Sequence, residues 1–271
     1  MGLTLNDKGD HITDSAKTPP DATNTPRDLN STLHPETAAG GYACNDGTVE
    51  FYQRVVAVLP EGGRVLDLGA GRGAAFDGNA SAWQTWLLHL ANKPSRRVGA
   101  DVDPVVLTNP ILDEAKIIEP GKPLPFEDQS FDLILCDWVI EHIEDPESFV
   151  REVKRVLKVG GWFCARTPNR WSYFAIGARL VSGGVAKTVL GRLQSHRAEH
   201  DVFPKYYKLN TLGAIGKNFS SKDWRNATYT DNPDPGYVGG IRPLFHMIDF
   251  YQRLAPKSLG TVILVFVQRI A

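Results

Sequence analysis

Residues 64–76 read RVLDLGAGRGAAF. A short apolar run ends in Asp67, and glycines then stand at alternate positions 69, 71 and 73. Such a run bounded by glycine reads as a buried strand, and the glycines let the backbone turn tightly and approach a ligand without Cβ clashes. A strand, a glycine loop and a helix in succession aim N–H groups at a bound nucleotide. The spacing is not the G-x-G-x-x-G of a dinucleotide site, because the third glycine comes one residue early and Asp67 stands two before the first. Taken alone, the loop also fits a plain tight turn.

Working outward, short apolar runs alternate with helical stretches. RVLDL, RRVGAD, EAKIIE, FDLILCD and GWFCART read as strands, with ASAWQTWLLHLAN and PESFVREVKRVLKVGG as helices between them. In the second helix Phe149, Val153, Val156 and Leu157 share one face and Arg151, Lys154, Arg155 and Lys158 the other; Pro146 opens it and Gly160-Gly161 closes it. Upstream, Val49, Tyr52, Val55, Val56 and Leu59 recur at helical spacing, ended by Pro60 and Gly62-Gly63. Strands alternating with helices predict an α/β fold, a doubly wound parallel sheet with helices on both faces. Residues 171 to 220 read as helices and loops, and WRNATYT and TVILVFVQ as two final strands.

RRVGADVDP runs as a strand into Asp101, an acidic residue placed to take both ribose hydroxyls. Asp103, followed by Pro104, reads instead as a helix N-cap with proline at the first helical position.

VLDLGAGRG, VGADVDP and LPFEDQSFDLILCDWVIEHIEDPESFVREVKRVLKVGGWFCARTPN together resemble the successive signatures of class I S-adenosylmethionine-dependent methyltransferases, in particular the small-molecule and quinone-biosynthesis group. The likeness is strong over residues 48 to about 170 and looser over the final strand pair. It implies S-adenosyl-L-methionine as cofactor and a Rossmann-like seven-stranded sheet with an antiparallel last strand. It also implies that Asp67, Gly69, Ala70 and Gly71 cradle the methionine end, that Asp101 with Val102 holds the ribose, and that Asp137 lies beside the methyl group. The family's usual adenine-binding acid falls at Pro120 here, so either neighbouring Glu119 or backbone groups take that role.

The methyl leaves a sulfonium, so the enzyme's main task is alignment of an acceptor, with a general base where the acceptor must lose a proton. Candidate bases are His142 of the EH motif, whose alternative role is to fix its loop, together with His196, His200 and Asp201 of SHRAEHD. No third ligand accompanies the histidines, so no metal is expected.

Between Arg151 and Arg225 there are 15 Lys or Arg against 4 Asp or Glu. Such a surface concentrates anions. Residues 167–193 interleave Trp171, Tyr173, Phe174, Ile176, Leu180 and Val181 with Arg170, Arg179, Lys187 and Arg192, which suits either a helix at a membrane surface or an ordinary helix over the sheet. Phe203, Tyr206 and Tyr207 border the expected acceptor pocket. These features point to a small-molecule, lipid-linked or saccharide acceptor, methylated at oxygen, with peripheral membrane contact; no nucleic-acid-reading motif is found.

Length and composition agree with an enzyme-sized globular chain: 271 residues, 42% hydrophobic, 23% charged, net charge -1. No apolar run is long enough to span a bilayer, and MGLTLNDKGD lacks the pattern of a secretory signal, so the expected location is cytoplasmic or peripheral at the inner membrane face. Cys44, Cys136 and Cys164 have no metal or pairing pattern, and the last two read as buried thiols. Residues 1–40, rich in Thr, Asp, Asn and Pro, are expected to be disordered, although HPETAAGGY at their end could order over a ligand. Residues 41–271 then form one methyltransferase domain with 171–222 as a helical acceptor-side insertion. Two rival readings are a nicotinamide-dependent oxidoreductase and a non-catalytic S-adenosylmethionine-binding module.

Overall fold

A computed structural model describes residues 34–73, 80–173, 175–176, 204–234 and 242–271. Five strands run parallel: β1 (Arg64–Leu68), β2 (Arg96–Asp101), β3 (Glu114–Ile117), β4 (Phe131–Asp137) and β5 (Leu157–Pro168). Three more complete the sheet: β6 (Trp224–Asn226), β7 (Tyr229–Asp231) and β8 (Val262–Arg269). The order is β3-β2-β1-β4-β5-β8-β6, with β7 also on β8, and β8 runs antiparallel to β5, β6 and β7. The expected seven strands are thus eight segments. WRNATYT pairs with β8 in two pieces because Ala227 donates to Phe266 O while Asn226 Oδ1 turns back onto Thr228 N.

The chain leaves β1 toward β2 and β3, then returns to place β4 on the other side of β1. That reversal opens a crevice at the C-terminal ends of β1 and β4, where open α/β sheets bind ligands.

Helices cover both faces, as the strand–helix alternation predicts. On one face α1 (Gly47–Val58) buries Val49, Phe51, Tyr52 and Val55, joined by Leu87 and Leu88 of α2 (Ala82–Leu88), against Val65, Leu133, Leu135, Cys164 and Phe266. Asp46 caps α1 through the N–H groups of Thr48 and Val49, and Ser81 and Gln84 form a reciprocal capping box on α2. On the other face α3 (Pro146–Val156) buries Val150, Val153 and Val156 and α4 (Leu212–Asn218) buries Ile215, against Leu66, Ile134, Phe163 and Val265. Each such side chain contributes about 1.5–3 kcal/mol.

The helix of α3 stops at Val156 rather than at the glycine pair. Ser130 N already donates to Val156 O and Phe131 pairs with Leu157, so the chain joins the sheet early, and Gly160-Gly161 lie inside β5. The register shifts there, and a Cβ on Gly161 would stand 2.8 Å from Asp132 O.

A further helix, α5 (Arg242–Leu254), lies between β7 and β8 and was not expected from the sequence. Its Phe245 is buried, edge-on to the ring of His34, while Met247, Phe250, Tyr251 and Leu254 are exposed. Order therefore begins before residue 41: His34 is buried, its Nδ1 lies 3.6 Å from Asp234 Oδ2, and residues Pro35–Ala38 form a 3-10 turn. Cys136 and Cys164 are fully buried and Cys44 is exposed.

Candidate functional site

The glycine loop leaves β1 with Gly69, Gly71 and Gly73 all in the left-handed region, at φ +82°, +50° and +75°. Two side chains outside the loop hold it there. Asn109 donates from Nδ2 to Ala70 O (3.0 Å) and Gly71 O (3.2 Å), and Asp101 Oδ2 accepts from Gly71 N (2.8 Å). A Cβ on Gly69 would lie 2.2 Å from Val139 Cγ2, so the loop packs directly on the turn after β4. Among the described residues, a Cβ on Gly71 would meet nothing within 4 Å. No described residue therefore covers Gly71, where a ligand could approach the backbone.

Three carboxylates converge beside it from the ends of β1, β2 and β4. Asp67 is buried, and Arg97 donates to its Oδ2 from Nε (3.1 Å) and Nη2 (2.6 Å) while Nη1 donates to Leu88 O (2.7 Å). Burial pushes the Asp67 carboxyl above its ordinary range, Arg97 opposes this, and the nearby charges of Asp137 and Asp101 add to the rise. Asp101 also caps locally, its Oδ1 accepting from Asp103 N (2.9 Å). Each of its oxygens keeps a second lone pair for a ribose hydroxyl. Asp103 accepts from Val105 N at the start of a short 3-10 turn opened by Pro104, the capping role its sequence context predicts.

Asp137 stands opposite Arg166 in the β4–β5 register. Arg166 grips both of its oxygens, Nε to Oδ1 and Nη2 to Oδ2, each at 2.7 Å, and Nη1 donates to Thr48 Oγ1 (3.0 Å). Burial opposes the charge of Arg166, yet Asp137 more than compensates and holds the guanidinium above its ordinary pKa. Tyr52 donates to Asp137 Oδ2 (3.2 Å); burial, then the charge of Asp137, keeps its phenol well above the ordinary range and so protonated. Trp138 follows Asp137 with a left-handed backbone (φ 58°), its N–H donating to Arg166 O (2.9 Å) and its ring 5.1 Å from the guanidinium.

The EH motif divides its labour. Glu141 is buried, accepting from Thr167 Oγ1 (3.0 Å), which in turn accepts from Asn210 Nδ2 (2.7 Å). His142 Nδ1 lies 2.7 Å from Pro204 O, so it donates there and fixes the following loop, whose Tyr206 and Tyr207 N–H groups donate to Glu141 O.

Of the residues proposed from the sequence, Asp67, Gly69, Ala70, Gly71, Asp101 and Asp137 come together around one crevice. Val102 is exposed beside it. Glu119 is exposed and pairs with Lys122 at 3.6 Å; the preceding residue, Ile118, donates to Asp101 O, which places Glu119 at the edge next to the end of β2. His196, His200, Asp201 and Phe203 lie outside the described residues. Sequence reasoning missed Thr48, Tyr52 as a site residue, Arg97, Asn109, Trp138 and Arg166. Among the described residues no cluster of His, Cys, Asp and Glu could hold a metal ion.

The donor set fits S-adenosylmethionine. Carboxylates suit its ammonium, sulfonium and ribose hydroxyls, whereas a dinucleotide's pyrophosphate would face three carboxylates against two already paired arginines. The methyltransferase domain family matches residues 66–165. The chain is 29% identical over 157 residues to a ubiquinone biosynthesis O-methyltransferase of Bordetella avium, covering 52% of this chain and 58% of that one. It is 29% identical over 183 residues to the protein of that name from Chromobacterium violaceum, covering 63% and 68%. It spans little more than half the length of the first curated relatives it matches. In fold it resembles a chain of the complex between the Haloferax volcanii Trm112 methyltransferase activator and a methyltransferase, with a TM-score of 0.51 at 16% identity, covering 82% of this chain and 89% of that one. Fold, crevice and family match agree on a methyltransferase domain over residues 66–165, in a Rossmann-like fold, and they imply S-adenosyl-L-methionine as the cofactor.

Proposed function

We propose that the protein transfers a methyl group from S-adenosylmethionine to an oxygen of a small, lipid-linked or saccharide acceptor. The observation that carries this reading is the convergence of Asp67, Asp101 and Asp137 on a glycine loop whose Gly71 no described residue covers. Likeness to ubiquinone biosynthesis O-methyltransferases favours oxygen as the atom and a lipid-linked acceptor.

When bound, the cofactor supplies an activated methyl group on a sulfonium. Asp101 would hold the ribose, and Asp67 with the loop backbone the methionine end. Arg166, with Thr48, and Tyr52 fix the rotamer of Asp137, so that its carboxylate would meet the methyl end already oriented. Such preorganised alignment is the main source of rate in a displacement with a good leaving group, worth up to roughly 7–11 kcal/mol. His142, its ring oriented by the contact of Nδ1 with Pro204 O, is the candidate base for an acceptor that must lose a proton. Glu119 or neighbouring backbone would meet the adenine.

No described helix is long and apolar enough to cross a membrane. Peripheral contact is supported by α5, whose Met247, Phe250, Tyr251 and Leu254 form an exposed apolar stripe at helical spacing. Residues 171–222 belong to the acceptor side in this reading, within a single domain.

The test is transfer of label from methyl-labelled S-adenosylmethionine to a prenylated catechol in vesicles with anionic lipid, beside free catechol and methyl glucoside. O-methylated prenyl catechol is the expected product. Tight cofactor binding without turnover of any acceptor would favour the non-catalytic module instead.

A further inference from the structure

Residues 34–46 run ahead of α1 and are tied at both ends to the chain just beyond β7. The segment closes on itself where Glu36 Oε1 accepts from Cys44 N (3.2 Å). At its start the buried His34 places Nδ1 3.3 Å from Glu36 Oε1 and 3.6 Å from Asp234 Oδ2, with its ring edge-on to Phe245 of α5. At its end Asn45 O accepts from Asp234 N (3.2 Å) and Asn45 Nδ2 donates to Asp234 Oδ1 (3.3 Å). A Cβ on Gly47 would stand 2.8 Å from Pro233 Cβ, so contact there is close. The same end reaches the crevice. Asp46 Oδ2 accepts from Gln84 Nε2 (2.6 Å) of α2, the helix after the glycine loop, and Thr48 Oγ1 accepts from Arg166, which grips Asp137.

The tie at Asp234 is the weak one. Among the described residues Asp234 Oδ2 is buried and accepts no hydrogen bond, and His34 pairs with it only at 3.6 Å. A buried polar atom left in this way costs about 1–3 kcal/mol and calls for a reason. Around it stand Glu36 and Cys44 of the segment itself, Asp231 at the end of β7, and His246 and Asp249 of α5. Burial raises the Asp234 carboxyl above its ordinary range; the charge of His34 and the bond from Asn45 oppose the rise, while Glu36 and Asp249 add to it. A carboxyl raised in the closed state holds its proton more tightly there, so the tie weakens as pH rises through that value. Imidazole sheds its charge between pH 5 and 8, which acts in the same direction.

We propose that residues 34–46 are a strap latched to Asp234 by His34, and that release of this latch above neutral pH frees the crevice for exchange of S-adenosylhomocysteine. What is exchanged rests on the methyltransferase reading above; the latch itself does not.

Cys44 is exposed while Cys136 and Cys164 are fully buried, so a maleimide dye attaches to the strap alone. Its anisotropy reads the order of the strap without any cofactor, and release of radiolabelled S-adenosylhomocysteine into unlabelled chase reads exchange. Both are measured at pH 6 and pH 8.5 in wild type, H34Q and D234N. Wild type is expected to lose anisotropy at pH 8.5 and to release S-adenosylhomocysteine about 3- to 10-fold faster, the worth of an ion pair between the exposed and buried extremes. H34Q, which cannot carry the charge, should be open and fast at both pH values. D234N, with no carboxylate to strand, should be closed and slow at both. Wild-type anisotropy equal at the two pH values, or a full wild-type pH response in H34Q or D234N, would overturn the latch. Anisotropy that falls while the release rate stays constant would overturn its role at the crevice. Wild type that binds no S-adenosylhomocysteine would remove the cofactor reading, and the anisotropy would still decide the latch.

Discussion

Replacing Arg97 by methionine isolates the buried ion pair beneath the glycine loop. Methionine keeps most of the aliphatic stem but removes three donated hydrogen bonds, two to Asp67 Oδ2 and one to Leu88 O. The paired side chains are 7% and 10% exposed, so water replaces little of what is lost. Removing one partner of a buried pair costs about 3–5 kcal/mol. The cost depends on pH in a definite direction. Burial already raises the Asp67 pKa in the folded protein, and Arg97 is the largest influence holding it down. A carboxyl with a raised folded pKa binds its proton more tightly when folded, so its contribution to stability falls as pH rises through the folded value. Without Arg97 that value climbs further, and the fall reaches closer to neutrality. Urea denaturation should therefore show Arg97→Met about 3–5 kcal/mol less stable than wild type at pH 7.5, with a smaller deficit at pH 5. Asp67→Asn added to Arg97→Met should recover part of the loss, because no buried charge is then left unpaired. A deficit independent of pH, or a double variant whose losses simply add, would refute the reasoning.

Two further outcomes follow from the crevice. Gly69→Ala places a Cβ 2.2 Å from Val139 Cγ2 on a backbone at φ +82°, so a loss of about 2–4 kcal/mol is expected in chemical denaturation, with only partial recovery on adding Val139→Ala. Glu141→Gln keeps the shape but can turn a donor toward Thr167 Oγ1, which already receives Asn210 Nδ2; a loss of about 1–3 kcal/mol is expected by the same assay, and Glu141→Gln as stable as wild type would show that the buried charge is not needed.

Much of the architecture could be read from local pattern. Alternating apolar runs identified the five parallel strands, apolar residues at helical spacing located α1, and such spacing together with Pro146 located the start of α3. The C-terminal end of α3 was misread because glycine pairs usually end helices, whereas pairing of Phe131 with Leu157 drew the chain into the sheet first. Helix α5 was overlooked although Met247, Phe250, Tyr251 and Leu254 recur at helical spacing, a period the sequence does carry.

The acidic half of the candidate site was legible, Asp101 because it ends an apolar strand and Asp67 and Asp137 through the family resemblance. The basic half was not. Arg97 and Arg166 lie within strands and find their partners through register, across 30 and 29 residues of sequence, which no local spacing encodes. Asn109 acts the same way on the loop from 38 residues away. Strain at Trp138 belongs to the backbone and leaves no mark in composition.

The central claim is that this crevice is built for S-adenosylmethionine, and calorimetric titration of S-adenosylhomocysteine, beside NADH, tests it most directly. Wild type should bind S-adenosylhomocysteine and not NADH, and Asp101→Ala should lose about 2–4 kcal/mol of binding through the ribose contacts and the freed Gly71 N–H. Preference for NADH, or S-adenosylhomocysteine binding untouched by Asp101→Ala, would contradict the account.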